Sequence, residues 1–269
     1  MLLTKEQKIF RILQLGTAMC FIGHGAWGII TKPIWCNYFG VFGIGHTTAY
    51  QLMPWVGGID ILLGIIMLVY PIRAIALWLV VWGFITASLR PLSGEPFAEL
   101  IERAGNFGAP LALLTLIGLN TKSIASLFKK ISVDSSANDA GLRKVAVVLR
   151  IAGFLLLLGH GGLNLIHKKS LIDQYSSLGF DHPQNTATII GMIEVAGAFI
   201  VLLTSYRPVI FLLFLWKMLS ECFYPQYEIF EWIERGGSYT CLLALWVITQ
   251  GNTYLQGNKN WLFKRISFH

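Results

Sequence analysis

Charge is what this chain lacks. Of its 269 residues only 13% are charged, against about 25% in an average globular protein. So thin a polar coat excludes a soluble globule, and 55% hydrophobic content with a mean hydropathy of +0.61 excludes a disordered chain. Cysteine is equally scarce. Cys20, Cys36, Cys222 and Cys241 form no CxxC and no paired spacing, which argues against a metal knuckle or a secreted disulfide scaffold. There is no P-loop, no HExxH, no nucleophile elbow and no dinucleotide fingerprint, so an enzyme acting alone is less expected than a binding or transport protein.

What the chain does have is long apolar runs, each able to cross a bilayer of roughly 30 Å as a helix. The class expected is an all-α, polytopic membrane bundle with eight spans, near residues 9–30, 52–70, 74–89, 104–119, 145–166, 187–204, 209–224 and 236–250. The first run has no convincing small-residue cleavage site and is read as a retained span rather than a signal peptide. The net charge of +7 could suggest nucleic acid, but the basic residues sit at the ends of the apolar runs, so the partner expected is the bilayer. With the N-terminus inside, fourteen Lys and Arg fall on the cytoplasmic side and seven outside, which predicts both termini cytoplasmic.

The halves resemble one another. LQLGTAMCFIGHGAWG parallels RIAGFLLLLGHGGLN, setting His24 on His160. GGIDILLG parallels GMIEVAGA, setting Asp60 on Glu194, and the same offset carries Arg73 to Arg207, Trp82 to Trp216 and Pro91 to Pro225. ELIERAGNF then parallels EWIERGGSY. The organisation expected is a four-span repeat over 1–120, a polar cytoplasmic linker over 121–144, and a second repeat with a basic tail over 145–269. Four spans is an even number, so the repeats should be parallel, related by an axis along the membrane normal.

Ionisable residues within spans are costly and mark interiors or water-filled cavities. His24 and Asp60, with His160 and Glu194, lie roughly 9 and 12 Å below the outer surface at the helical rise. Glu102, Arg103, Glu234 and Arg235 begin the fourth and eighth spans, and all eight residues converge on an expected outward vestibule. Each feature has a plainer reading beside the functional one. The glycine-flanked histidines could hydrogen-bond between helices or ligate a haem. Asp60 and Glu194 could pair with the histidines, or handle protons or substrate. The glutamates, with Glu99 and Glu231, could favour helix starts while the arginines pack or bind. Lys217 and Glu221, four apart, could neutralise each other or form a site acquired by the second half. That half alone also has Asn164, one turn after His160. The site is therefore expected to be asymmetric, with Glu194 as proton or ligand acceptor, His160 orienting it, and Arg235 and Lys217 supplying positive charge. Trp35, Trp55, Tyr224 and Trp232 are read as interface anchors.

HGAWGIITKP from His24, HGGLNLIHKKSLIDQYSSLGF from His160 and IIGMIEVAGAFIVLLTSYRPVI from Ile189 resemble the DoxX family's first- and second-span patterns. Asp60 stands where that pattern has glutamate; Glu194 keeps it. The resemblance implies a four-helix unit of the bacterial inner membrane and an association with thiosulfate-to-quinone electron transfer or with thiol and oxidative-stress systems. It thus implies a redox protein partner and quinone as a cofactor. A transporter or channel for a small solute or ion, and an assembly scaffold, are the alternatives.

Overall fold

The computed structural model describes residues 3–118, 123–131, 139–204, 206–223 and 229–250. The expectations that rest on Tyr224, Pro225, Lys122, most of the linker and the basic tail lie outside them.

Within the described residues the chain is helical, with one isolated β-bridge between Ile72 and Lys130. Each stretch read as a span holds one long helix: α1 (Lys5–Ile30), α3 (His46–Val69), α4 (Arg73–Leu92), α6 (Ala104–Ile117), α7 (Asp139–Leu165), α9 (Pro183–Leu203), α10 (Arg207–Ser220) and α12 (Gly236–Ile248). Four short helices lie between them at one end of the bundle: α2 (Trp35–Gly40), α5 (Ala98–Glu102), α8 (Lys169–Ser177) and α11 (Ile229–Glu234). These short helices were not anticipated, because none carries an apolar run.

Local chemistry sets the boundaries. Thr4 opens α1 with a capping box: its hydroxyl accepts from the Gln7 amide and the Gln7 side chain accepts from the Thr4 amide. Thr31, at φ 59°, ends α1 in the left-handed region, and His167, at φ 54°, turns the chain in the same way just after α7. Proline ends the turn before α4 and sits in the first turn of α9 and α10, where its missing amide costs nothing.

Five helices, α1, α3, α4, α7 and α9, are long and apolar enough to cross a membrane. The apolar α6 and α12 are shorter, at 14 and 13 residues. Ile59, Leu62 and Ile65 on α3, with Ile189, Met192 and Ile193 on α9, are exposed apolar side chains. Such uncovered apolar faces are compatible with a lipid surrounding.

α1, α6, α7 and α12 form the centre of the bundle. α1 packs on α3 and also on α11 and α12, while α7 packs on α9 and also on α5 and α6. Glycine permits the closest approaches. A Cβ at Gly25 would lie 2.5 Å from the Gly57 carbonyl oxygen, and one at Gly161 would lie 2.9 Å from the Gly191 carbonyl oxygen. A Cβ at Gly23 would run into the α11 backbone at Glu234, and one at Gly159 into the α5 backbone at Glu102. Gly105 and Gly237, at the crossing of α6 and α12, meet each other. These contacts recur between the halves at offsets of 132 to 136 residues, and the first helix of each half leans on the short helix of the other.

Helix ends at the opposite side are closed by polar side chains. The buried Gln14 amide donates to the Met67 and Leu68 carbonyls of α3 at 2.9 and 3.1 Å. Arg73 donates to the Gly118 and Ile117 carbonyls after α6. Both bonds satisfy carbonyls that a helix C-terminus otherwise leaves open.

Candidate functional site

Because Gly25 lets α1 press against Gly57 of α3, the short Asp60 carboxylate reaches His24: Oδ2 stands 2.8 Å from Nδ1. The Trp82 indole of α4 donates to the same oxygen at 3.2 Å. The imidazole also packs against Trp35, with ring centroids 4.6 Å apart. The second half repeats the plan with the longer acid. Glu194 Oε2 is 2.6 Å from His160 Nδ1, and Trp216 donates to Oε1 at 2.8 Å. Where the first half has Gly28 against α3, Asn164 donates to Glu194 at 3.3 Å, and Tyr175 of α8 donates to Asn164 Oδ1 at 2.8 Å. Both carboxylates are buried, Glu194 completely. In low dielectric, buried hydrogen bonds of this kind hold their helices in one register.

Above these triads an ion-pair lattice ties the halves together. Lys32 faces Glu231 across the divide at 3.9 Å, and its counterpart Lys168 pairs with Glu99. Arg103 donates to Glu99 at 2.6 Å and to Glu102 at 3.2 Å. Arg235 donates to Glu231 of its own half at 2.9 Å, and one of its nitrogens reaches both Glu102 and Glu221 at 2.8 Å. At the rim, Arg90 and the Tyr38 hydroxyl both donate to Glu95, at 3.1 and 2.6 Å. Burial pushes these carboxyls up, but the facing cations outweigh it. Arg235 and Arg103 hold Glu102 well below the carboxylate range, and Arg235 and Lys32 hold Glu231 at about 2. Burial pulls the Arg103 guanidinium down, and Glu102 and Glu99 more than reverse it. Glu102, Glu231 and Arg103 are therefore held in their charged forms at neutral pH.

Lattice and first triad enclose a cavity of about 490 Å³. Trp27, Trp35, Trp82 and His24 form an aromatic wall, Lys32, Arg103, Arg235 and Glu231 an ionic one, and Asn106, Ser238 and Tyr239, at the starts of α6 and α12, the floor. A separate, apolar cavity of about 370 Å³ is lined by His160, Tyr175, Phe180, Trp216 and Phe223.

The structure brings His24, Glu102, Arg103, Lys217, Glu234 and Arg235 to the larger cavity, with Asp60 behind His24. It does not bring His160, Asn164 and Glu194 there; His160 faces the smaller cavity, with Glu194 and Asn164 behind it. The eight residues expected to converge are thus divided between two cavities. The expected asymmetry takes a mixed form, since the main cavity joins the first half's histidine to the second half's Lys217. Glu221 lies just past α10, 3.7 Å from Lys217, and its main partner is Arg235. Two imidazoles that line different cavities, each bonded through Nδ1 to its own carboxylate, do not fit a haem shared between them. Trp35, expected as an interface anchor, is buried against His24, whereas Trp55 is exposed.

No family model matches the chain, nor does any curated protein or solved structure. The candidate site therefore stands on its geometry. Among the described residues, no three His, Cys, Asp or Glu side chains are placed to hold a metal ion. Sequence reasoning missed Tyr38 and Glu95, which no motif marks, and Tyr175 and Tyr239, which lie in segments quoted only for their likeness to others. It used Trp82 and Trp216 only as repeat anchors, although each follows its carboxylate by the same 22 residues, a spacing that signalled a shared partner.

Proposed function

We propose that the protein is a multi-pass membrane protein built from two parallel four-span units of DoxX-like organisation, and that it binds a small organic solute in the vestibule between them for passage into or across the bacterial inner membrane. The observation that carries the binding reading is the 490 Å³ cavity lined both by aromatic side chains and by charged ones. Its size falls in the range of about 300–1,000 Å³ usual for small-molecule sites. The recurrence of glycine contacts, triads and cross-half ion pairs supports the two-unit organisation. A second reading, a membrane redox partner binding quinone, is favoured by the aromatic surround of His24. Thiol exchange has less support, since Cys20, Cys36 and Cys241 are buried and Cys222 alone is exposed.

Three probes of one shape and three charges, benzoate, benzamide and benzylamine, test the binding reading through the tryptophan fluorescence of the purified protein. At least one should change it saturably, and Thr86→Phe, which fills space beside Trp82 on the cavity wall, should abolish the effect. Silence from all three, or indifference to Thr86→Phe, would overturn the reading.

Orientation is tested separately. The basic excess puts the vestibule outside and the linker in the cytoplasm. With Cys222 replaced by serine, a cysteine at Ser135 should resist an impermeant maleimide in intact cells and react after lysis. Labelling before lysis would invert the orientation.

A further inference from the structure

Three buried polar atoms around the vestibule floor make no hydrogen bond: Lys217 Nζ, Tyr239 Oη and Glu221 Oε2. Lys217 is 2% exposed and Tyr239 4%, and both line the cavity. Glu221 Oε1 lies 3.7 Å from Lys217 Nζ, and Tyr239 is within electrostatic reach of Glu221. An orphaned buried ammonium is a costly arrangement, because it has three donors and nothing to accept them.

The carboxylates around Lys217 do not resolve this. Glu102 has Oε1 on Arg235 and Oε2 on Arg103. Glu194 has Oε1 on Trp216 and Oε2 on His160 and Asn164. Glu221 Oε1 is held by Arg235 at 2.8 Å, closer than it stands to Lys217. Negative charge is near the ammonium, but most of its acceptor oxygens are engaged elsewhere, and the free Glu221 Oε2 makes no hydrogen bond to Lys217. Lys217 lines the cavity, so a ligand there can supply the missing acceptor.

We infer that the vestibule floor is an anion subsite: Lys217 Nζ and Tyr239 Oη donate to the carboxylate of a small organic acid whose apolar body lies against the Trp35 and Trp82 wall. The inference rests on the vestibule reading above and names its ligand class. A carboxylate offers two oxygens with several acceptor directions, matching an ammonium and a phenol that both lack acceptors. A cationic ligand would leave Lys217 unsatisfied and add like charge beside it. A neutral ligand would accept weaker hydrogen bonds from the same donors. The second half alone has this amine, since Gly83 occupies the matching position of α4, against the α6 backbone.

The same three probes decide the matter on the full-length protein. Benzoate should bind about tenfold or more tightly than benzamide, the difference expected for charge-assisted bonds, and benzylamine least. Lys217→Gln should erase the preference for benzoate over benzamide. Tyr239→Phe keeps the ring packing and should weaken benzoate roughly three- to tenfold and benzamide by less, narrowing the preference; it decides the question if the Lys217 variant does not fold. Equal affinities for benzoate and benzamide in the unaltered protein, or a preference that survives both substitutions, would overturn the anion subsite and leave the vestibule reading standing. Failure of all three probes would bring down the vestibule reading itself.

Discussion

Arg235→Met should cost about 3–5 kcal/mol of stability, the penalty for removing one partner from a buried ionic network. The guanidinium is shared among Glu102, Glu221 and Glu231. Methionine keeps the apolar stem but withdraws every donor, so three carboxylates, two of them buried, lose a partner at once. Glu221 suffers most, because Lys217 is its nearest remaining cation at 3.7 Å. Glu231 retains Lys32 at 3.9 Å and is partly exposed, so its share is smaller. Thermal unfolding in detergent should show the loss, and Lys32→Met, which removes one half-exposed cation, should cost under about 1 kcal/mol. Equal effects of the two substitutions would mean that the lattice is solvated and contributes little.

The second large effect comes from one methyl group. Gly23→Ala and Gly159→Ala each place a Cβ inside the backbone of a short helix of the other half, at Glu234 and Glu102 respectively. Backbone cannot swing aside as a side chain can, so whole helices must separate, at a cost of about 1–3 kcal/mol or more. Gly58→Ala is the control. It lies on the same sort of helix, and nothing stands within 4 Å of its added methyl. That change should be neutral or stabilising by up to about 1 kcal/mol through helix propensity alone. If all three substitutions behave alike in thermal unfolding, the close approach of the two halves is wrong.

The helices were legible in the sequence because apolar runs bounded by Pro71, Arg73, Arg207 and Pro208 announce themselves without tertiary information. The glycine-flanked histidines and the carboxylates at matching offsets were legible too, since an ionisable group in an apolar run is conspicuous. Which cavity each one faces was not. His24 and His160 have near-identical neighbours in sequence, yet His24 meets Trp35 and the large cavity while His160 is enclosed by Tyr175 and Trp216. The difference arises in the connections, where α2 and α8 carry unrelated side chains. The cross-half partners of Arg235 were equally hidden, because Glu102 lies 133 residues away and no local pattern joins them.

The reciprocal lean of α1 on α11 and of α7 on α5 has a consequence for how such a molecule is assembled. Neither unit finishes itself: the groove beside its first helix is filled by a segment of its neighbour, and the α6–α12 crossing sets Gly105 against its own counterpart Gly237. Such a contact is self-complementary, the geometry of an isologous dimer. Two separate copies of one four-helix unit would meet through the same glycine contacts, and joining them in one chain fixes their stoichiometry at one of each. A single chain, unlike a symmetric dimer, can differ at matching positions, as it does where Gly83 packs on the α6 backbone and Lys217 lines the cavity.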